Sequence, residues 1–188
     1  MSQLPRFCLS TPRLHLRSFA ETDLTALVAY RSDPEVARYQ GWPRPYTAEM
    51  GQALIDEMMN KPLDVQGAWL QIAIEQKESG VLMGDCAFAV RDSRGQQAEI
   101  GYTLARPFHG QGYATEAITR LLQYLFDERG LHRVHASCDT QNAASIRLLE
   151  RLGMRREAHF VENYWDDGQW TSEYLYAMLA REWKAKAA

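Results

Sequence analysis

Hydrophobic and polar positions follow two different periods along the chain, and the period changes near residue 68. Before that point, alternation over residues 13–17 predicts a strand, and apolar residues at helical spacing predict helices over residues 23–32 and after Thr47. The first helix should end before Pro34, because the residue preceding a proline avoids the helical region. The segment between the two helices, YQGWPRPYT, contains two prolines and predicts irregular structure.

The second predicted helix has one apolar stripe at helical spacing. Its members are Met50, Ala53, Leu54 and Met58. Period-two alternation then dominates, and it predicts three strands over residues 69–75, 82–90 and 98–104. Because polar turn-like segments separate them, these strands should form an antiparallel meander.

The last third of the chain returns to alternating helices and strands. A stripe of leucine and isoleucine predicts an amphipathic helix that ends near Gly130. A strand over residues 132–138, a short helix over 144–152 and two closing strands over 155–161 and 173–180 should follow. This order predicts a single α/β domain over residues 1–188, with one mixed, mostly antiparallel sheet and helices on both faces.

Charge and composition narrow the classes of partner. The 21 lysine and arginine residues against 24 aspartate and glutamate residues give a net charge of −3, and the cations are scattered, so neither nucleic acid nor a membrane surface is the expected partner. The three cysteines are widely spaced and form no C-x-x-C pair, which favours a reducing cytoplasm. The N-terminal stretch MSQLPRFCLSTPRL has no apolar core of signal-peptide length.

The stretch HGQGYAT, residues 109–115, places two glycines directly before a predicted helix. Glycine lowers the stability of regular structure by about 0.5–1 kcal/mol relative to alanine, so the cluster indicates a task for the backbone itself. A strand, a glycine-rich turn and a helix start together form an anion site, because the first amides of a helix lack internal partners. The stretch fits neither the G-K-[ST] ending of a nucleotide-triphosphate loop nor G-x-G-x-x-G. A turn that merely caps the helix is the alternative.

Two segments, AEIGYTLARPFHGQGYATEA and NAASIRLLERLGM, resemble the GNAT superfamily of acyl-coenzyme A (CoA) N-acyltransferases. Within that superfamily the chain is most similar to the branch of bacterial ribosomal-protein N-acetyltransferases, from TPRLHLR to LAREW. The family's pyrophosphate loop, Q/R-x-x-G-x-G/A, corresponds to His109, Gly112 and Ala114, although His109 departs from the usual glutamine or arginine. The resemblance implies a GNAT fold and acetyl-CoA as cofactor, with its pyrophosphate over the helix that starts near Thr115.

A second family motif, N-x-x-S/A, corresponds to Asn142 and Ser145. In the family this asparagine contacts the pantetheine arm or orders the loop beside it, whereas a plain helix cap is the alternative for Asn142. The cofactor-binding residues that the resemblance implies are Thr103, Leu104, His109, Gly110, Gln111, Gly112, Tyr113, Ala114, Thr115, Asn142 and Ser145.

Acetyl transfer to an amine requires a base, donors for the developing oxyanion and some support for the leaving thiolate. By resemblance the base is Glu99, on the strand that enters the glycine loop, and a solvated glutamate is the alternative. Many family members place a tyrosine beside the leaving thiolate, but the corresponding position here is Leu149. The resemblance to the ribosomal branch implies that Ser145 has this role instead. The alternative for Ser145 is a hydrogen bond to the backbone in the first turn of the helix. A family bulge would free oxyanion donors near Thr103 and Leu104.

Aromatic residues in the irregular segments suggest the acceptor side. In the family these segments border the acceptor channel, so Trp42, Tyr46 and Trp165 are candidate substrate-binding residues, with core or loop packing as the alternative. His132 and His135 fall on opposite faces of a strand, so no metal site is expected.

The sequence therefore predicts a cytoplasmic, acetyl-CoA-dependent N-acetyltransferase that acts on a primary amine, either a protein N-terminus or a small molecule. A homodimer is common in the branch that it resembles. Two alternatives remain open: a transferase that uses another acyl-CoA such as succinyl-CoA, and a non-catalytic acyl-CoA sensor.

Overall fold

The computed structural model describes residues 6–63 and 66–187, and its strands form one eight-stranded sheet. The strands are β1 (Cys8–Ser10), β2 (Leu14–Arg17), β3 (Leu70–Gln76), β4 (Leu82–Val90), β5 (Gln97–Leu104), β6 (Arg133–Asp139), β7 (Arg155–Asp166) and β8 (Gln169–Leu179). Their order in the sheet is β1-β2-β3-β4-β5-β6-β8-β7. Every neighbouring pair is antiparallel except β5 and β6, which are parallel. The predicted mixed, mostly antiparallel sheet is confirmed.

Six α-helices connect or follow these strands within residues 6–63 and 66–187. They are α1 (Leu24–Arg31), α2 (Pro34–Ala37), α3 (Ala48–Asn60), α4 (Tyr113–Gln123), α5 (Ala143–Arg151) and α6 (Ala180–Ala187). A π-helical turn, Tyr124–Glu128, extends α4 towards Gly130, where the predicted helix ends. The one-turn helix α2 and the terminal helix α6 are additions to the predicted set.

The two faces of the sheet carry different helices. Thr103 of β5 pairs with Asp85 of β4, and the Asp85 carboxylate accepts hydrogen bonds from α1. The preceding residue of β5, Tyr102, contacts Ser145 of α5 through its hydroxyl group. Since successive side chains of a strand point to opposite faces, α1 and α5 cover opposite faces, as the α/β prediction requires.

The apolar face of α3 differs from the predicted stripe. Gly51, Ile55 and Met58 are buried, whereas Ala53 is exposed, so only part of the prediction is correct. The reason is a close approach of α1: a Cβ on Gly51 would lie 2.8 Å from a methyl carbon of Val28. A glycine therefore forms the contact between α1 and α3, which a hydrophobicity pattern does not reveal.

The closing hairpin is longer than predicted. Strands β7 and β8 extend well beyond residues 155–161 and 173–180, and β7 is exposed along most of its length. In the described part of the chain, no helix has the length and apolar character needed to cross a bilayer. Residues 1–5 of the N-terminal stretch considered above lie outside the described residues.

Candidate active site

A cleft opens where β5 and β6 part. The parallel pairing of these strands covers only Gln97 with Arg133 through Glu99 with His135, whereas β6 continues to pair with β8 along its whole length. The second half of β5 therefore has one edge that no strand of the described residues covers. This edge leads directly into the glycine loop.

Hydrogen bonds fix the direction of the amides on β5. The N–H of Ala105 donates to Met83 of β4, and the carbonyl of Gln96 accepts from β6. Because successive peptide groups point to alternate edges, the amides of Tyr102 and Leu104 point into the cleft, and that of Thr103 points to β4. Pairing between β4 and β5 shows no register shift, so the cleft arises from the divergence of β6 rather than from a bulge in that ladder.

The glycine loop leaves a run of amides without acceptors. Gly112 caps α4 in the left-handed conformation, with φ of 81°, and it has no side chain to occupy the first amides of the helix. The amides of Phe108 and His109 donate to main-chain carbonyls, but no described group accepts a hydrogen bond from the amides of residues 110–115. These amides and the positive end of the α4 dipole suit an anion.

Two side chains hold this loop in place. His109 Nε2 lies 2.8 Å from the carbonyl oxygen of Leu104, which ties the loop to the end of β5. On the other side, Arg13 donates to Glu116 at 2.6 Å and to the carbonyl of Gln111 at 3.2 Å. The Arg13 guanidinium also lies 4.2 Å from the centre of the Tyr113 ring. The histidine that departs from the family motif therefore has a structural role.

The cleft and the loop form one groove of about 520 Å³. It contains all the predicted cofactor-binding residues except Gln111, whose side chain instead donates to the carbonyl of Pro107. The remaining lining residues, which the sequence did not single out, are Val36, Gln40, Tyr102, Phe108, Ala144, Arg147, Leu148 and Arg151.

Ser145 and Asn142 lie at the wall of this groove. Asn142 Oδ1 accepts a hydrogen bond from the Ser145 amide at 3.1 Å, so Asn142 does cap α5, while it also faces the groove. The Ser145 hydroxyl lies 2.7 Å from the Tyr102 hydroxyl. Burial raises the pKa of Tyr102 well above its usual value, which keeps the phenol protonated. Burial likewise raises the pKa of the nearby Cys138 thiol to about 11.

Glu99 is placed apart from Ser145. It shares the α1 face of β5 with Thr103, whereas Ser145 covers the opposite face, and it does not line the groove. Arg91 Nε donates to its carboxylate at 2.8 Å. Glu99 lies three positions before Tyr102, which corresponds to about 10 Å along a strand. A base at this position reaches the cleft only through water.

The three aromatic candidates for the acceptor side also lie outside the groove. Trp42 and Tyr46 stack around the Arg31 guanidinium, at 4.4 and 5.3 Å from their ring centres. Trp165 is 56% exposed at the tip of the β7–β8 hairpin, in edge contact with Trp170. An ion pair between Arg44 and Asp166 joins this tip to the irregular segment, so the two segments are in contact, and their joint surface is referred to as the wall.

A buried ion pair supports β4 beneath that wall. The Asp85 carboxylate accepts from Tyr30 Oη at 2.5 Å and from Arg31 Nη2 at 2.7 Å, and all three residues are at most 5% exposed. Sequence reasoning missed this cluster because Asp85 lies 54 residues after Arg31 in the chain. In the described ranges, no group of three or more histidine, cysteine, aspartate or glutamate residues is arranged to hold a metal ion.

Comparison with known proteins agrees with this geometry. The family model "Acetyltransferase (GNAT) domain" matches residues 13–155. The uncharacterized N-acetyltransferase p20 of Bacillus licheniformis is 34% identical over 175 residues, which cover 93% of this chain and 97% of the relative. The ribosomal protein uS5-alanine N-acetyltransferase of Escherichia coli (strain K12) is 25% identical over 97% of this chain and 95% of its own. The crystal structure of a GNAT-family acetyltransferase from Bacillus anthracis superposes with a TM-score of 0.84 at 29% identity, covering 94% and 100% of the two chains.

The chain therefore belongs to the GNAT family of N-acetyltransferases, which use acetyl-CoA as acetyl donor. Its single mixed sheet, with the glycine loop between β5 and α4, is the fold that the family resemblance implied.

Proposed function

We propose that the chain transfers an acetyl group from acetyl-CoA directly to a primary amine while both are bound in a ternary complex. The observation that carries the proposal is the run of amides at residues 110–115, at the mouth of the cleft between β5 and β6. No described group accepts a hydrogen bond from these amides. Acetyl-CoA supplies an activated thioester, so the protein needs no nucleophile of its own.

Each part of the groove has a matching task. The loop amides and the N-terminus of α4 hold the diphosphate, and the Asn142 side chain orients the arm beside α5. The amides of Tyr102 and Leu104 point into the cleft, where they can stabilise negative charge on the thioester oxygen. The Thr103 amide bonds towards β4, so the predicted donor pair is better assigned to Tyr102 and Leu104.

Removal of the Ser145 hydroxyl should slow transfer. Ser145 can donate to the leaving thiolate while Tyr102 fixes its orientation, and a hydrogen bond to a charged group contributes about 1.5–3 kcal/mol, so Ser145→Ala should lower kcat by about 10- to 100-fold. Tyr102→Phe should lower it less, and the double variant should be no slower than Ser145→Ala. Steady-state kinetics measures all three.

A direct readout separates this role from a structural one. The pKa of the CoA thiol, followed by its thiolate absorbance in the complex, should rise in both variants. The control is Tyr176→Phe, which removes another buried tyrosine hydroxyl whose partner is Glu150, outside the groove. An unchanged thiol pKa in Ser145→Ala would exclude the assignment.

Glu99 is proposed as the base that takes the proton from the ammonium acceptor through water. Glu99→Gln should reduce kcat/KM by about 100-fold and remove the acid limb of the pH profile, because general-base catalysis contributes about 10²–10⁴. Arg91→Met is the control, since it removes the ion pair and keeps the carboxylate. If both variants keep the wild-type profile, Glu99 is only a structural partner of Arg91.

The acceptor is proposed to approach from the α1 face, along the wall that contains Trp42, Tyr46 and Trp165. Trp42 packs on Arg31 of α1, on the face opposite Ser145, and it does not line the groove, which leaves the groove to the cofactor and supports this route. A protein N-terminus is favoured by the relationship to the uS5-alanine enzyme, and a small-molecule amine is the second candidate.

We further propose that residues 1–188 form one domain and that the protein acts as a homodimer. Its three free cysteines suit a reducing compartment, and we propose the cytoplasm.

Thioester consumption over a panel of N-terminal peptides, polyamines and aminoglycosides tests the function. Turnover with acetyl-CoA and at least one amine is expected. Faster turnover with succinyl-CoA would favour the alternative acyl group, and CoA binding without turnover on any amine would favour a sensor.

A further inference from the structure

Two arginines of α5 face the cofactor groove. Arg147 and Arg151 are four residues apart, so they lie on the same side of the helix, and both line the groove that contains the loop amides. Both are exposed. No aspartate or glutamate lies among the described residues that line this groove, although the whole chain carries a net charge of −3. The lining of the groove therefore carries positive charge, whereas the net charge of the whole chain is negative.

These two guanidinium groups also lack the partners that most arginines here have. No described side chain or carbonyl accepts a hydrogen bond from either of them, and neither forms an ion pair within the described residues. The arginines that do form ion pairs are Arg13, Arg17, Arg31, Arg44, Arg91, Arg106, Arg120, Arg133 and Arg155.

Their position along α5 indicates which part of a ligand they meet. Ser145, at the first turn, marks the thiol end of the groove, and a rise of about 1.5 Å per residue places Arg147 and Arg151 about 3 and 9 Å further along the helix axis. The loop amides already suit a diphosphate. CoA carries one additional phosphate, on the 3′ position of its ribose, at the end away from the thiol.

We propose that Arg147 and Arg151 form a subsite for the 3′-phosphate of CoA, so that the protein distinguishes CoA from dephospho-CoA. This inference rests on the proposed function. Guanidinium groups bind phosphate oxygens in a bidentate manner, and two of them on one helix face can share a single dianion.

Calorimetric titration of the full chain with CoA and with dephospho-CoA tests the subsite. The wild type should bind CoA about 10-fold more tightly, since the 3′-phosphate adds charge-assisted hydrogen bonds that dephospho-CoA lacks. Arg147→Met and Arg151→Met should each weaken CoA binding and leave dephospho-CoA binding unchanged, and the double variant should bind the two ligands equally. Arg94→Met, an exposed arginine in the β4–β5 turn, is the matched control and should retain the full preference.

The outcomes separate the two proposals. Equal binding of both ligands by the wild type, or a preference that survives in the double variant, overturns the subsite and leaves the diphosphate cradle intact. Failure of the wild type to bind either ligand overturns the proposed function itself. Circular dichroism of each variant verifies that the fold is retained.

Discussion

Gly112→Ala is expected to weaken CoA binding by about 10- to 100-fold, because loss of one amide hydrogen bond to a charged group costs about 1.5–3 kcal/mol. Gly112 has φ of 81°, a conformation that costs a residue with a Cβ about 1–2 kcal/mol. The added Cβ would make only an ordinary contact with Arg13 Nη2, at 3.5 Å, so the strain comes from the backbone conformation. The loop can relieve this strain only by turning the amides of residues 112–115 away from their present directions. Isothermal titration calorimetry measures the loss.

Gly95→Ala provides the matched control for this experiment. Gly95 has φ of 69°, lies in the turn before β5 and has nothing within 4 Å of an added Cβ. Both substitutions should lower the free energy of unfolding by a similar amount, while only Gly112→Ala should lose affinity for CoA. Equal CoA affinities in the two variants would show that the loop conformation does not hold the diphosphate.

Asp85→Ala is expected to lower the free energy of unfolding by about 3–5 kcal/mol, because it leaves the Arg31 charge buried without a counterion. Arg31 is 5% exposed, it lies between two aromatic rings, and its Nε already has no partner among the described residues. Because Asp85 pairs with Thr103, the loss should also disturb β5 next to the cleft. Urea denaturation followed by fluorescence measures the change.

An exposed ion pair gives the comparison for Asp85. Glu57→Ala removes the partner of Lys61 on the surface of α3 and should cost about 0.5 kcal/mol or less. The double variant Arg31→Met/Asp85→Leu should recover much of the stability, since it removes both buried charges together. A loss of less than about 1 kcal/mol in Asp85→Ala would contradict the account of a buried, mutually dependent pair.

The periodicity of hydrophobic residues predicts most of the fold, but not the elements that are largely exposed to solvent. Strands β3, β5 and β6 alternate because one face is more deeply buried than the other, whereas β4 is buried on both faces and forms a short apolar run. The sequence predicts all four within a residue or two. Strand β7 is exposed along most of its length, so the sequence predicts a strand over residues 155–161 but not its extension to Asp166. Helix α6 has one stacked aromatic residue, Trp183, whose ring centre lies 5.9 Å from that of Phe126, and one such residue does not make an apolar stripe.

The candidate site likewise has features that the local sequence predicts and features that only the folded chain reveals. The glycine loop was evident because its conformation requires glycine locally, as Gly112 shows. The contact between Tyr102 and Ser145 joins residues 43 apart, which only the folded chain brings together. Alternation also places Glu99 and Tyr102 on opposite faces, but it does not say which helix covers which face. The separation of Glu99 from Ser145 therefore required the structure.

The binding of CoA by the loop amides is tested most directly by ¹H–¹⁵N spectra of the labelled full chain during titration with CoA. The account predicts saturable shifts of the amide resonances of residues 110–115 with CoA, and none at those positions with pantetheine, which lacks the diphosphate. The contrary result is CoA binding that shifts resonances elsewhere and leaves those of residues 110–115 unchanged.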